Sequence, residues 1–202
     1  GNLPACSLSR GCTFDGLSVY VVECAGLYER PGNIYCDPQG RDWQDNDARF
    51  ARFSSVAAAL AAGRLDPAWQ ADLVHVNDWQ CGLVPAYLEW NGWNVPSLLT
   101  IHNMAFQGLF SRGSLGRINA PGHAFQVDGL EFYGKVSFLK AGLQYATHLT
   151  TVSETYAREI TTAEHGCGLD GLLRRRAGEA QLTGILNGID ESWDPKSCRD
   201  LV

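Results

Sequence analysis

The sequence has 202 residues, of which 45% are hydrophobic and 19% are charged, as in an ordinary globular protein of one α/β domain or two small ones. Its 16 basic and 22 acidic residues give a formal net charge of −6, which argues against a general nucleic-acid binder. The only dense basic stretch, residues 174–176, lies at the end of a predicted helix, where cations also complement the helix dipole.

The sequence shows no sign of a membrane or export segment. No apolar run reaches the ~18 residues of a transmembrane helix, and the first residues lack the basic region and apolar core of a signal peptide. The seven cysteines include no C-x-x-C pair. We interpret them as reduced thiols of a cytosolic protein, without a disulfide framework or a zinc site. Cys24 and Cys81 are expected to be buried as small apolar side chains.

The first third of the chain predicts a hairpin, a loop and a helix. Two strand-like runs flank Asp15-Gly16, a hairpin signal, and residues 20–22 are predicted to form a buried strand. Residues 25–47 are rich in Pro, Gly, Asp and Asn, and such long loops are often functional. A helix over roughly residues 48–62 follows, with Asn46 or Asp47 as its N-cap. We therefore divide the chain into a hairpin region (1–24), a loop (25–47) and a core (48–202).

In the core, strand-like and helical patterns alternate. Short apolar runs in "DLVHVN", "PSLLTIHN", "HLTTV" and "QLTGIL" predict four parallel strands, with His75 buried inside the first. Helices are predicted in "QCGLVPAYLEW", in "EFYGKVSFLKAGLQYA", in "SETYAREI" with Ser153 as its cap, and in "LDGLLRRR". This alternation predicts an α/β fold with a Rossmann-like, doubly wound parallel sheet.

Polar side chains follow the predicted strands. Asp78 and Trp79 follow the first strand, His102 follows the second, and Asn187 follows the last. Because the carboxyl ends of parallel strands share one edge, where ligands bind in open α/β sheets, we expect Asp78, His102 and Asn187 to converge. Carboxylate, imidazole and amide groups beside an aromatic ring are the chemistry of a carbohydrate site.

Each of these residues also has a purely structural interpretation. Asp78 is a good helix N-cap, His102 a plausible core histidine, and Trp79 a plausible core aromatic. Asn187-Gly188 is a common turn pair. What favours a binding site is that the polar groups and an aromatic ring fall at one predicted edge.

Several other catalytic classes lack their sequence signatures. There is no G-x-G-x-x-G or G-x-x-x-x-G-K-[ST] motif for a dinucleotide or a P-loop, and no G-x-S-x-G nucleophile elbow. The five histidines have no metal-ligand spacing. An oxidoreductase or epimerase on a Rossmann sheet is therefore a poor alternative, and neither a cofactor nor a metal is expected.

The sequence resembles bacterial glycogen synthases and plant starch synthases, which are retaining glucosyltransferases that extend an α-1,4-glucan from ADP-glucose. The resemblance covers nearly the whole chain from about Gly11 onward. The segments that carry it, in the family's order, are "LYERPGNIY", "VHVNDWQCGLVPAYL", "TIHNMAFQGLF", "GLEFYGKVSFLKAGLQYATHLTTVSETYAREI", "GLDGLLRRR" and "LTGILNGIDES".

The resemblance implies the N-terminal domain of a two-domain glycosyltransferase of the GT-B type, incomplete at both ends. The family's first strand and its K-[ST]-G-G loop, which embraces the donor diphosphate, are expected before this chain. The C-terminal domain, with basic residues for the diphosphate, is expected after it. A chain that carries only the glucose side of the site is predicted to be inactive alone. The alternative function is a catalytically inactive fragment that binds glucan.

The resemblance also implies roles for nine residues. Asp78 matches the acid of the family's D-W motif near the glucosyl site, and His102 matches the histidine that faces the transferred glucose; these two are the implied catalytic residues. The implied substrate-binding residues are Tyr35, Trp79, Gln80, Asn103, Gln107, Asn187 and Asp190. The family commonly has histidine where this chain has Gln80, and an amide can hydrogen-bond a hydroxyl but cannot carry a proton charge.

The implied partners are ADP-glucose and an α-1,4-glucan such as glycogen, starch or a maltooligosaccharide, with no nucleic acid and no membrane. The expected location is the bacterial cytoplasm, or a plastid if the chain comes from a plant or an alga.

Overall fold

The computed structural model describes residues 3–189. Within this range the chain forms nine strands and seven α-helices. In chain order these are β1 (Ser7–Cys12), β2 (Ser18–Glu23), α1 (Ala25–Tyr28), α2 (Asn46–Ala61), β3 (Val74–Asn77), α3 (Leu83–Trp90), β4 (Ser97–Ile101), β5 (Leu109–Phe110), α4 (Ser114–Arg117), β6 (Glu131–Phe132), β7 (Lys135–Ser137), α5 (Phe138–Tyr145), β8 (His148–Thr151), α6 (Glu154–Glu159), α7 (Asp170–Gly178) and β9 (Leu182–Gly184).

The central element is a four-stranded parallel sheet in the order β3-β4-β8-β9. It confirms the predicted α/β class and all four predicted core strands. Because the strand order follows the chain order, right-handed crossovers place the connecting helices on one face. Accordingly, α3 packs against α2 and α5, and α5 also contacts α7. No helix among residues 3–189 has the length and apolar character that a membrane span requires.

The two faces of this sheet differ in polarity. On the helix-covered face, Leu99, Ile101 and Leu149 are fully buried. The opposite face carries His75, whose Nε2 lies 2.6 Å from Thr100 Oγ1, while Thr100 Oγ1 lies 2.6 Å from Thr150 Oγ1. The prediction that His75 is a core residue is wrong, because strand alternation turns Val76 towards the helices and His75 to the exposed face.

The predicted N-terminal hairpin is confirmed, but its burial is not. Strands β1 and β2 pair antiparallel around a turn in which Gly16 has a φ of 86°. Val21 in β2 is 50% exposed, so the prediction of a buried strand at residues 20–22 is wrong. Two strands without a covering layer have no second surface on which to bury apolar side chains.

The capping prediction for α2 is also wrong. The helix begins two residues before the predicted start, with Asp45 at the N-cap position. Asn46 and Asp47 lie inside the first turn and are buried. Their side chains reach other segments instead: Asn46 Nδ2 donates to Tyr35 O at 2.9 Å, and Asp47 forms an ion pair with Arg117 at 3.0 Å.

The segment predicted as one helix from residue 131 to 146 has two parts. Its first half forms β6 and β7, which pair with β5 in a small antiparallel sheet around a turn at Tyr133 (φ 46°) and Gly134 (φ 78°). Helix α5 begins only at Phe138, where Ser137 Oγ caps it by accepting from Lys140 N at 3.1 Å. The apolar residues of this segment do have helical spacing, but the turn at residues 133–134 and the cap at Ser137 place the start of the helix at Phe138. The predicted cap of α6 is confirmed, since Ser153 Oγ accepts from Tyr156 N at 3.0 Å.

Candidate functional site

The end of β3 places a carboxylate directly against the end of β4. Asp78 Oδ1 accepts a hydrogen bond from the backbone N–H of His102 at 2.7 Å, and Asp78 Oδ2 lies 2.9 Å from His102 Nδ1. The backbone of Asp78 has a φ of 53°, which side-chain-bearing residues rarely adopt. Asp78 makes no capping hydrogen bond to the turn that follows it, so its interpretation as an N-cap is wrong.

The register of the parallel strands explains this contact. Asn77 is paired with Thr100, and the Asp78 N–H donates to Thr100 O at 2.9 Å, so the next residues of both strands leave the sheet side by side. The His102 side chain is 45% exposed, so it is not a core histidine. An ionised carboxylate only accepts, so Nδ1 of His102 carries a hydrogen and the neutral ring has its free lone pair on Nε2.

Trp79, the next residue, belongs to an aromatic cluster. Its ring meets Phe50 edge to face with centroids 4.6 Å apart, and it lies 6.0 Å from Tyr35 and 6.1 Å from Phe110. A Cβ built on Gly108 would lie 2.4 Å from the Trp79 ring, and Gly108 has a φ of 59°. The glycine thus leaves room for the indole, which is partly buried against the core.

An open cavity of about 480 Å³, which we call the aromatic cavity, lies beside this cluster. Its walls combine aromatic rings with polar groups. The lining residues are Tyr35, Cys36, Asp42, Asn46, Trp79, Gln80, Phe106, Gly108, Leu109 and Phe110. Gln80 Nε2 donates to the Tyr35 hydroxyl at 2.7 Å across this wall. Three of the predicted substrate-binding residues, Tyr35, Trp79 and Gln80, therefore meet at one place.

The loop that carries Tyr35 is tied to the start of α2. Arg30 donates two hydrogen bonds to Asp45, from Nη1 to Oδ1 at 2.8 Å and from Nη2 to Oδ2 at 2.7 Å. The guanidinium holds the pKa of the Asp45 carboxyl below its usual value. Further along the loop, the Cys36 thiol donates to Asp42 Oδ1 at 3.2 Å, and this carboxylate raises the pKa of the thiol.

The segment after His102 is anchored by partners far away in the sequence. Asn103 is exposed, and its Oδ1 accepts from Ala105 N at 2.9 Å. The Met104 N–H donates to the Tyr156 hydroxyl at 3.0 Å. Tyr156 was not found from the sequence, because a tertiary contact between residues 52 positions apart leaves no local signal.

Gln107 is another anchor rather than a wall of the aromatic cavity. It is 8% exposed, and its Nε2 donates to Cys167 O at 2.9 Å. Its Oε1 is buried and has no hydrogen-bond partner among the described residues. Cys167 itself has a φ of 50°. The amide thus joins the loop after β4 to the loop before α7.

Asn187 lies at the predicted edge but apart from the Asp78–His102 pair. It follows β9, where the Ile185 N–H donates to Thr151 O at 2.8 Å, and β8 separates β9 from β4. Asn187 is exposed, and within residues 3–189 no hydrogen bond joins it to Asp78 or His102. The remaining predicted residue, Asp190, lies outside the described residues.

Comparisons with known proteins agree on one family. The model of the family "Starch synthase catalytic domain" matches residues 4–175. The chain is 70% identical over 201 residues to glycogen synthase 1 of Bradyrhizobium diazoefficiens and 54% identical over 199 residues to the glycogen synthase of Pseudomonas putida. These alignments cover 100% and 98% of the chain but 44% and 38% of the relatives, so the chain spans less than half their length.

The fold is also found in a solved structure. The catalytic domain of starch synthase IV from Arabidopsis thaliana, bound to ADP and acarbose, superposes with a TM-score of 0.78 at 29% sequence identity. The superposition covers 96% of this chain and 39% of that chain.

Proposed function

Because the chain belongs to the starch synthase catalytic domain family, we propose that the protein containing it transfers glucose from ADP-glucose to the non-reducing end of an α-1,4-glucan, with retention of configuration. The observation that carries this proposal is the Asp78–His102 pair at the carboxyl edge of the sheet, one residue from the aromatic cavity. The carboxyl edge of a parallel sheet is where ligands bind in open α/β folds, and a cavity with aromatic walls and a few polar groups can hold a sugar. The Asp78–His102 pair places polar groups beside such a cavity.

We assign the carboxylate a positioning role. Both oxygens of Asp78 are engaged by His102, so Asp78 acts through the histidine rather than on the sugar. His102 then presents Nε2 and its backbone to the transferred glucose. As the bond to the diphosphate breaks, positive charge develops at the anomeric carbon, and nearby lone pairs stabilise it.

The sugar-binding wall is assigned to residues at the aromatic cavity. Aromatic faces cover the apolar side of a sugar ring, and amide and hydroxyl groups bind its hydroxyls. Trp79 and Tyr35 supply the rings, Tyr35 also supplies a hydroxyl, and the amide of Gln80 in the same wall is hydrogen-bonded to that hydroxyl. Asn103 and Asn187 are proposed to contribute from the same edge, and Asp190 is proposed to bind substrate as well, whereas we propose that Gln107 acts indirectly by holding the loop.

No lysine or arginine is among the residues that line the aromatic cavity. A departing diphosphate gains from cations and backbone N–H groups. We therefore propose that these groups come from other parts of the full-length protein, and that the reaction requires no cofactor besides its donor. The Bradyrhizobium and Pseudomonas relatives are bacterial, and we propose a cytoplasmic location.

The test is glucan synthesis by the purified full-length protein. We expect radioactive glucose from ADP-[¹⁴C]glucose to enter glycogen, with α-1,4 linkages in the product by NMR. A parallel reaction with UDP-glucose defines the donor preference. Incorporation no higher than in an enzyme-free blank, with either donor, contradicts the proposed function.

The second candidate function is that the 202-residue chain binds glucan without catalysing transfer. The aromatic cavity favours this function, because its rings and polar groups suit a sugar. Retention of the 202-residue chain on an amylose column that is lost in Trp79→Ala would support it. Trp69→Ala is the matched control, because Trp69 is a partly exposed tryptophan that contacts Tyr20 and does not line the cavity. Equal loss of retention in both variants contradicts binding at this cavity.

A further inference from the structure

The hydrogen bond between Gln80 and Tyr35 has a fixed direction. The side-chain Nε2 of Gln80 only donates, so the hydroxyl oxygen of Tyr35 is the acceptor. The hydroxyl's own hydrogen must then be donated elsewhere, and no acceptor for it is found among residues 3–189. Since Tyr35 lines the aromatic cavity, this hydrogen is available to a molecule bound there.

The Tyr35 side chain is held in place before any ligand arrives. Its backbone N–H donates to Asn33 Oδ1 at 2.7 Å, and its carbonyl accepts from Asn46 Nδ2 at 2.9 Å. Its ring lies 6.0 Å from both Phe50 and Trp79. With the ring and the backbone fixed, the remaining freedom is the rotation of the O–H bond, and Gln80 restricts that rotation.

We propose that Gln80 is a positioning residue that fixes Tyr35 as a hydrogen-bond donor to an oxygen of the sugar in the aromatic cavity. This inference rests on the proposed function. The oxygen belongs either to the transferred glucose or to the acceptor glucan, since both present hydroxyl and ether oxygens with lone pairs. An amide does not titrate between pH 5 and 8, so the direction of the bond stays constant there, whereas a histidine in this place would exchange donor and acceptor roles as it titrates.

The decisive variant is Gln80→Glu in the full-length protein, because glutamate has nearly the same shape but its carboxylate only accepts. The Tyr35 hydroxyl then donates its hydrogen to the carboxylate and can no longer donate it to the sugar. We expect KM for one sugar substrate to rise about 3- to 10-fold, the effect of losing one hydrogen bond. Tyr35→Phe should raise the same KM by a similar factor. Measuring KM separately for ADP-glucose and for maltoheptaose identifies which sugar Tyr35 contacts.

The double variant separates this role from a simple effect of negative charge. If Gln80 acts through Tyr35, adding Gln80→Glu to Tyr35→Phe changes KM by less than twofold. The proposal is overturned if the single variant leaves both KM values within twofold of the wild type. It is also overturned if the full effect of Gln80→Glu persists in the Tyr35→Phe background.

A failure of the proposed function is recognisable in the same experiment. It appears as a wild-type protein that makes no glucan from either nucleotide sugar. Calorimetric Kd values for ADP-glucose and for maltoheptaose, measured with the wild type and the three variants, then test the role of Gln80 alone. The same pattern in the Kd of one of the two ligands supports the positioning role, and Kd values for both ligands that are equal in all four proteins overturn it.

Discussion

Asp78 holds His102 by two hydrogen bonds, one to its backbone N–H at 2.7 Å and one to its ring Nδ1 at 2.9 Å. The pair joins the ends of two neighbouring parallel strands, so the orientation of the imidazole is set by the sheet itself. Of the site residues predicted at strand ends, these two are the ones that the described structure brings into direct contact.

The first prediction concerns this pair. Asp78→Asn retains the side-chain shape, but its amide offers only one acceptor oxygen where the carboxylate offers two. It therefore cannot accept from both the His102 N–H and Nδ1–H. We expect kcat of the full-length protein to fall about 100-fold or more with a smaller change in KM, as when preorganised catalytic geometry is lost. Steady-state glucan synthesis measures this.

The matched control for that variant is Asp72→Asn, which changes an exposed carboxylate just before β3. It should retain nearly full activity. If Asp78→Asn keeps more than half of the wild-type kcat, the positioning role of Asp78 is wrong.

The second prediction concerns the space for Trp79. A methyl group on Gly108 would lie 2.4 Å from the indole, and the φ of 59° adds strain, so Gly108→Ala should destabilise the protein by about 1–3 kcal/mol. Displacing the indole should also raise KM for maltoheptaose. Urea unfolding and kinetics measure the two effects.

Gly113→Ala is the matched control for Gly108→Ala. Gly113 has a φ of −61°, and a Cβ there would meet nothing closer than Ser111 Oγ at 3.5 Å. We expect a change within about 0.5 kcal/mol. Equal stability of the two alanine variants contradicts the steric argument.

The third prediction concerns two serine caps. Ser137 is fully buried, and its Oγ both accepts from Lys140 N and donates to Gln107 O at 3.2 Å, whereas the Ser153 hydroxyl, among the residues that the structure describes, serves only the cap of α6. Ser153→Ala should therefore cost about 1 kcal/mol, the usual value of a cap. Ser137→Ala should cost more, about 2 kcal/mol, because it also removes the buried hydrogen bond from the hydroxyl to Gln107 O, which then accepts only from the Leu139 N–H at 3.1 Å. Urea denaturation compares them, and a larger loss in Ser153→Ala would refute this ranking.

The fourth prediction concerns acid stability. Arg30 lowers the pKa of Asp45, so the folded state binds the proton less readily than the unfolded chain, whose aspartates titrate near pH 3.9. The ion pair therefore stabilises the protein above about pH 4, and this contribution is lost as the pH falls through the lower, folded pKa. Since both side chains are partly exposed, the effect should not exceed about 1 kcal/mol.

The measurement is the urea midpoint between pH 7 and pH 3. Asp45→Asn should be less stable than the wild type at pH 7, and the difference should shrink in acid. Asp72→Asn again serves as the control, since its carboxylate is exposed. A difference between Asp45→Asn and the wild type that is the same at both ends of the pH range would contradict this assignment.

Sequence patterns predicted what depends on local order. The shared carboxyl edge of parallel strands predicted that Asp78, His102 and Asn187 converge, and this is confirmed for Asp78 and His102 but not for Asn187, which follows β9 beyond β8. The start of α5 was misplaced because helical spacing continued through a turn that Tyr133 and Gly134 make possible. His75 was misplaced because a short apolar run does not reveal which sheet face is covered.

Other features depend on contacts that no local pattern encodes. The link from Gln107 to Cys167 spans 60 positions, and Tyr156 reaches Met104 over 52. The direction of the Gln80–Tyr35 hydrogen bond depends on a loop meeting the end of a strand. These contacts follow from tertiary packing, and only the folded chain shows them.

The unusual backbone angle of Asp78 means that Asp78 and His102 constrain each other. A residue held at a φ of 53° tends to relax unless its surroundings oppose it, and its two bonds to His102 are part of that opposition. Replacing the histidine removes the bond to Nδ1 but leaves the one to the backbone N–H, so the aspartate at the end of β3 loses part of what holds it. The kinetic losses from changing either residue will overlap, so adding them would overstate what the two contribute together.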